Sequence, residues 1–456
     1  MSSNFIWGKL GAGNISFAIG IHVLLGLSGL LSRFVFILWF YALVFSFFSL
    51  SRQQQREVLP LFLGYLIPAE LFGRMVGGSP YLPWEIGKYL GMLLLIYGIS
   101  LNRRRQGGGA GWWILLLSVP GLLLGVLASE RVYKDIAFNY LGLFNLTLAV
   151  IFFANYSMSK EKLQQVFRLI LLGSLMVLSY SFFRTPDLSE VEFALGANFD
   201  VTGGFGSNQV ASVLGLAFGL SAFLWLMQAP LFKSELLNLG LPGAFLIWAL
   251  FSFSRGGVLT SVLGLFLVVL LVPSQKGAFQ LRAISPKLII GLLILLPGIF
   301  YVANTMTKGQ LLLRYSGETY GTLQGSKEKD LSQLTTGRWD ILLNDIEIWQ
   351  DHFVFGAGVG QSAEIRPMYG EHKAAAHVEV SRLLSEHGLL GFIISLIYIL
   401  SPVVLFFNAQ TPFQKAVMLF VFTIAIATSM HSAMRTFITP FFYGLGFAAF
   451  WTPKKR

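Results

Sequence analysis

Leu383–Phe406 reads LLSEHGLLGFIISLIYILSPVVLF. From Leu389 onward it carries no charged side chain. Its length suits one crossing, since a bilayer core takes roughly 20 apolar residues of helix. The apolar run is continuous rather than alternating, which excludes a membrane β-barrel. Its first residues, Ser385-Glu386-His387-Gly388-Leu389-Leu390-Gly391, also close the one long polar interval of the chain, Thr305 to Gly391. One stretch therefore decides the fold and marks where a polar loop re-enters the bundle.

Working outward, comparable runs recur near 15–31, 34–50, 58–76, 84–101, 112–128, 138–156, 166–183, 208–228, 240–254, 256–273, 287–304, 415–433 and 437–452. Several are short, and 15–31 with 34–50 reads equally well as a hairpin. The fold class is all-α: a polytopic transmembrane helical bundle of about 12–14 spans with a large, partly helical extracytoplasmic loop. Composition agrees. Of 456 residues, 55% are hydrophobic and 12% charged, against about 25% charged in soluble proteins. There is no cysteine, so disulfides, thiolate nucleophiles and Cys-ligated metals are excluded. Met1–Asn14 holds one Lys and no small-residue cleavage site, so no cleavable signal peptide is expected.

Charge orients the spans. With the N-terminus cytoplasmic, the inner connections collect Lys9, Arg52, Arg56, Arg103, Arg104, Arg105, Lys160, Lys162, Lys233, Lys276, Arg282, Lys287 and Lys415, and the chain ends in Lys454, Lys455 and Arg456. The short outer loops hold Arg33, Arg131, Lys134, Arg184, Arg255 and Arg435. This is the positive-inside asymmetry, so the net charge of +11 is largely a topology signal. Basic residues scattered among spans do not form a nucleic-acid surface. Four regions follow: N-terminal spans 1–183, central spans 184–304, an outer loop 305–382, and C-terminal spans 383–456. No internal repeat of the transporter kind is evident.

The outer loop has helical order. Trp339, Leu342, Leu343, Ile346 and Trp349 lie on one helix face. Thr335 and Thr336 are N-cap candidates, with Asp340 in the first turn. Arg338 then sits at a helix N-terminus, where free N–H groups and positive potential favour phosphate. A solvated Arg on the polar face is the plain alternative. His377 stands where the loop returns to the bundle, and His is the side chain best suited to take a proton near neutral pH. His372 and His387 compete for that role, and an interfacial His is the bland reading. Glu379 with Arg382, and Arg382 with Glu386, are spaced to pair on a helix. Within the spans, Glu70 with Arg74 and Glu85 with Lys88 have the spacing of neutralising pairs or of an ion path. Phe355-Gly356-Ala357-Gly358-Val359-Gly360 has no βαβ context and reads as a tight turn rather than a dinucleotide site.

Three segments carry a resemblance. They are Gly204-Phe205-Gly206-Ser207-Asn208-Gln209-Val210-Ala211, then Phe253-Ser254-Arg255-Gly256-Gly257, then the loop itself with Gly337-Arg338-Trp339, the glycine turn, His377 and Glu386-His387-Gly388. In order and topology these resemble the O-antigen ligase and O-antigen polymerase superfamily of bacterial membrane glycosyltransferases. The family pattern has His-Asn where this chain has His377-Val378.

The resemblance implies a GT-C-like, metal-independent enzyme with no cofactor. It would lie in the bacterial inner membrane, with both termini cytoplasmic and the active site periplasmic. The donor would be a glycan on undecaprenyl pyrophosphate, and the acceptor a sugar or lipid A–core. Catalytic roles fall to His377, Arg338 and Arg255: the arginines hold the leaving pyrophosphate and His377 positions or deprotonates the acceptor hydroxyl. Arg314, Arg184, Arg382, Arg435, Asn208, Glu386 and Trp339 are the further substrate contacts. Besides substrates and lipid, partners of this class include a chain-length regulator or a flippase; nucleic acid is not among them. Polymerase is the first reading. The alternatives are a ligase moving the glycan onto lipid A–core, a lipid-linked glycan flippase, and a non-catalytic assembly protein.

Overall fold

The computed structural model of the protein describes residues 15–101, 107–128, 132–188, 190–196, 198–232, 234–272, 286–326, 328–370 and 373–451. Lys9, Arg103, Arg104, Arg105, Arg131, Lys233, Lys276, Arg282, His372, Lys454, Lys455 and Arg456 lie outside the described residues.

Helices dominate. In chain order they are α1 (Ile15–Leu31), α2 (Arg33–Phe48), α3 (Arg52–Met75), α4 (Ile86–Leu101), α5 (Gly109–Ala128), α6 (Val132–Phe153) and α7 (Lys160–Arg184). There follow α8 (Ser207–Leu226), α9 (Glu235–Phe251), α10 (Arg255–Leu271) and α11 (Pro286–Met306). The loop region holds α12 (Gln310–Tyr315), α13 (Tyr320–Leu323), α14 (Leu331–Thr335), α15 (Arg338–Asp351) and α16 (Gln361–Ile365). The chain closes with α17 (Glu379–Asn408), α18 (Pro412–Ser432) and α19 (Ile438–Leu445). Two 3-10 turns, Asp200–Thr202 and Arg366–Tyr369, and two three-residue strands, β1 (Ser157–Ser159) and β2 (Ala449–Trp451), complete the elements among the described residues.

This is a polytopic helical membrane protein. Among the described residues, 7 helices are long and apolar enough to cross a bilayer. Five shorter apolar helices, α1, α2, α4, α9 and α10, accompany them. Each apolar run of the sequence has a helix, with one departure. The last run, 437–452, is not a continuous span: α19 has 8 residues and gives way to β2. Gly444 and Gly446 interrupt it, and glycine is among the weakest helix formers.

The chain folds as two compact units, each assembled from distant segments: 1–87 with 158–319 and 450–456, and 88–157 with 320–449. In the first, α3 begins on a capping box, with Ser51 and Gln54 exchanging hydrogen bonds. It packs on α7 through small residues; a Cβ on Gly173 would lie 2.4 Å from Pro68 Cγ. Helices α8 and α10 approach more closely still. A Cβ on Gly257 would meet the Ala211 carbonyl at 2.2 Å, and one on Gly215 the Gly257 carbonyl at 2.4 Å. Ser261 Oγ donates to the Gly215 carbonyl at 2.7 Å across the same contact. Close backbone approach over small residues is how helices associate in lipid, where hydrophobic burial gives no extra drive.

In the second unit the deciding feature is a break inside α17. Gly388 has φ 63° and ψ −136°, a conformation essentially reserved for glycine. It separates a short segment, Glu379–His387, from the apolar span that follows. The glycine turn supplies donors to carbonyls beside the break: Ala357 N–H donates to Ser385 at 2.8 Å and Gly358 N–H to Glu386 at 3.1 Å. Leu389 N–H donates in return to Phe353 and Val354, at 2.7 and 3.1 Å. Phe355–Gly360 is thus a tight turn threaded against α17, with positive φ at Gly356, Gly358 and Gly360.

Candidate functional site

In the first unit, Arg255 is the first residue of α10, and the Gly257 contact with α8 places that helix end. Tyr315 lies beside it. Burial pushes the Tyr315 hydroxyl up to about 12, against the pull of Arg255 and Arg314. Arg314 Nε donates to the Phe253 carbonyl at 3.4 Å, so the structure brings Arg255, Arg314 and Tyr315 together. Arg184, the last residue of α7, pairs with the Tyr180 hydroxyl and lies 5.4 Å over its ring. It flanks Gly204 at 3.6 Å from the Cβ position. Asn208 has an exposed side chain at the start of α8. Its neighbour Gln209 is anchored: Arg74 Nη1 donates to Gln209 Oε1 at 2.8 Å while Arg74 pairs with Glu70, the ion pair foreseen in the sequence. Helices α8 to α11 line a groove of about 340 Å³ with an almost wholly apolar lining, including Phe218, Leu246, Val262 and Phe266.

In the second unit, α15 begins at Arg338 with Gly337 in the cap position at φ 75°. Thr335, an N-cap candidate, is instead the last residue of α14, although its Oγ1 accepts from Trp339 N–H at 3.1 Å. Thr336 caps the end of α14 in the left-handed region. The buried face of α15 is not the apolar face read from the sequence but a mixed one. Ile341, Asn344, Asp345 and Ile348 are buried, while Trp339 and Leu343 are 39% and 42% exposed. Asp345 explains the difference. It pairs with the fully buried Arg366 and accepts from Ser381 Oγ at 2.7 Å. Burial pushes its carboxyl up, opposed chiefly by Arg366. A helix of a membrane protein has lipid as a solvent for its apolar stripe, so the polar residues with partners can face inward.

Glu379, Arg382 and Glu386 form one buried network on the short segment of α17. Arg382 pairs with Glu379, lies 3.8 Å from Glu386 Oε2, and donates to the Asn139 carbonyl. Glu386 Oε1 accepts from Gly360 N–H at 2.9 Å and Ser362 Oγ at 3.3 Å. Glu379 Oε2 accepts from Met434 N–H at 3.1 Å. Arg382 and Glu386 therefore tie the glycine turn, α6 and the turn after α18 to one helix. His387 is buried against the bare Cα of Gly121, where a Cβ would lie 2.3 Å from its Nδ1.

That turn brings the cluster together. Ala433 N–H donates to the His377 carbonyl at 3.0 Å. Arg435 Nη2 donates to the carbonyls of Ala375 and Ala376, each at 2.8 Å. The main chain of His431 lies within reach of the His377 ring and favours its protonation, but burial, then Arg435 and Arg338, outweigh it and lower its pKa to about 3. Burial, Arg382 and Arg338 lower Arg435 to about 10, still cationic at neutral pH. Arg338 also lies within electrostatic reach of His431. Arg338, His377, Arg435 and His431 thus converge from α15, the loop before α17, and the end of α18. The first three were sequence candidates. His431 was hidden at the end of an apolar span; its spacing to Arg435 was the available signal.

The arrangement is chemically specific. Two guanidinium groups offer fixed donors for an anion. Within their electrostatic reach stands a His held neutral, with a main-chain carbonyl beside its ring. No curated protein matches the chain. Residues 243–396, the segment that carries Arg255, Arg338 and His377, match the model of the family described as O-Antigen ligase, consistent with the O-antigen ligase and polymerase superfamily.

Proposed function

We propose that the protein transfers a glycan from a polyprenyl pyrophosphate to a sugar hydroxyl at the periplasmic face of the bacterial inner membrane, with a second lipid-linked repeat unit as acceptor. The observation that carries this reading is the juxtaposition of neutral His377 with Arg338 and Arg435. The acceptor oxygen attacks the anomeric carbon, and the bond from that carbon to the pyrophosphate oxygen breaks. The leaving polyprenyl pyrophosphate takes the electron pair, stabilised by Arg338 and Arg435. The hydroxyl proton passes to the unprotonated ring nitrogen of His377. With an anion on the two arginines, the charge that opposes His377 protonation is neutralised, so donor binding strengthens the base. Arg382 and Glu386 act in this reading by fixing the cluster rather than by touching substrate. Arg255, Arg314 and Arg184 remain anion-contact candidates on their own unit, with Asn208 and Trp339 as sugar contacts. The apolar groove on the helix that begins with Arg255 suits an isoprenoid chain.

The match to the O-Antigen ligase family favours a second reading, transfer to lipid A–core by the same chemistry. One experiment tests both. Purified protein receives a defined undecaprenyl pyrophosphate-linked repeat unit, with and without lipid A–core. Longer lipid-linked chains identify a polymerase, and glycosylated lipid A–core a ligase. Absence of either product, with movement of the lipid-linked sugar across liposomes, overturns the transferase reading in favour of a flippase.

A further inference from the structure

His431 is the unassigned member of the cluster. It sits in the last turn of α18, two residues before Ala433, whose φ of 47° turns the chain back toward His377. Its Nε2 atom is buried and has no hydrogen-bond partner among the described residues. The other side of the ring, Nδ1, faces its own main-chain carbonyl. A neutral His with its proton on Nδ1 has a lone pair on Nε2 and nothing to donate there. A buried polar atom without a partner is costly. His431 is within electrostatic reach of Arg338 and His377, and the Ala433 N–H bond to the His377 carbonyl at 3.0 Å draws its turn to that loop.

From this geometry we infer that His431 Nε2 recognises a hydroxyl of the acceptor sugar, adjacent to the one that His377 activates. Charge complementarity selects the ligand. An Nε2 lone pair repels phosphate oxygens, which the arginines take, and it complements an O–H donor. The main chain of the same residue lies within reach of the His377 ring, so the two rings serve neighbouring positions. A site built to accept from a hydroxyl rejects an analogue lacking it, because the buried acceptor is then left unpaired. His431 is therefore a specificity residue for the acceptor. The inference rests on the transferase reading.

The alternative is that His431 merely caps the C-terminal end of α18 through Nδ1. Three variants separate the two. Asn places its amide near the Nδ1 position, Gln near Nε2, and Ala removes both. Purified wild type, H431N, H431Q and H431A receive a polyprenyl pyrophosphate-linked donor and acceptors that each lack one hydroxyl. Expected are a KM for the parent acceptor raised about tenfold in H431A and H431N, roughly one hydrogen bond, partial rescue in H431Q, and a donor KM within about twofold of wild type. One deoxy acceptor should be discriminated by wild type and H431Q but treated like the parent by H431A. Rescue by Asn rather than Gln shows a cap and overturns the inference, as does unchanged acceptor selectivity in all three. Thermal unfolding identifies any variant that fails to fold, and H431Q then still decides. If wild type itself forms no transfer product, the transferase reading fails, and this one with it.

Discussion

Ala433 donates its N–H to the carbonyl of His377 at 3.0 Å. The bond joins the turn that follows α18 to the loop that precedes α17, and so sets His377 beside Arg435. Around it, Glu379 holds Met434 and Arg382 holds Glu379. A cluster assembled by main-chain bonds and a buried ion network is sensitive to changes that never touch it.

Arg382 lies at the centre of that network with 8% exposure, and Glu379 and Glu386 are as deeply buried. Replacing it by Met strands two carboxylates, a loss of about 3–5 kcal/mol when one member of a buried pair is removed. The companion E379Q/R382M variant should recover part of this. Denaturant or thermal unfolding in micelles measures both; wild-type stability in the single variant argues against a buried ion network.

Gly388→Ala should also destabilise. Its φ of 63° costs a non-glycine residue about 1–3 kcal/mol, and the added Cβ would lie 2.5 Å from Gly356 N and 2.6 Å from the Phe353 carbonyl. Loss of the break releases the glycine turn, so activity should fall along with the unfolding temperature. Unchanged values for both would show that α17 tolerates a continuous helix.

Gly257→Ala tests the α8–α10 contact. A Cβ there would sit 2.2 Å from the Ala211 carbonyl, and overpacking costs about 1–3 kcal/mol. A displaced α10 carries Arg255 with it, so the KM for the lipid-linked donor is expected to rise. A variant with wild-type unfolding and donor KM would detach the glycine from that role.

Two pH dependences follow from His377. Its pKa falls from 6.5 to about 3 on folding. Between these values the unfolded chain binds the extra proton, so stability rises with pH across the window and is lost on acidification. His377→Asn should flatten this part of the stability profile; an unaltered slope contradicts the lowered pKa.

The second dependence concerns rate. Removing a nearby cation favours protonation, so Arg338→Gln should raise the His377 pKa toward 6.5 and bring the acid limb of kcat/KM to higher pH. Its turnover should drop about 100-fold or more, the scale for losing one transition-state donor. In wild type the acid limb of kcat should lie above that of kcat/KM, because bound donor neutralises the arginines. A limb that stays in place in the variant removes Arg338 from the surroundings of His377.

The helical spans, the order of the Arg338 region and the glycine turn were legible from run lengths, periodicity and turn residues, because those signals are local. The i, i+3 and i, i+4 pairs of Arg382 with Glu379 and Glu386 were legible for the same reason. The inward face of α15 was not. Periodicity put Trp339 and Leu343 on one apolar face, but what turns inward is set by Asp345 with Arg366 and Ser381, residues remote in sequence. Nor could spacing show that Glu379, Arg382 and Glu386 also bond the main chain of Met434, Asn139 and Gly360.

By itself, then, the sequence determined that this is a membrane helix bundle and which arginines and histidines stand at the ends of its spans, since apolar run length and side-chain type are properties of short segments. Tertiary structure alone decided that α17 breaks at Gly388 and that His431 joins His377, Arg338 and Arg435. Those outcomes depend on which distant backbone carbonyls, carboxylates and small residues meet, and burial makes each such meeting obligatory once the helices pack.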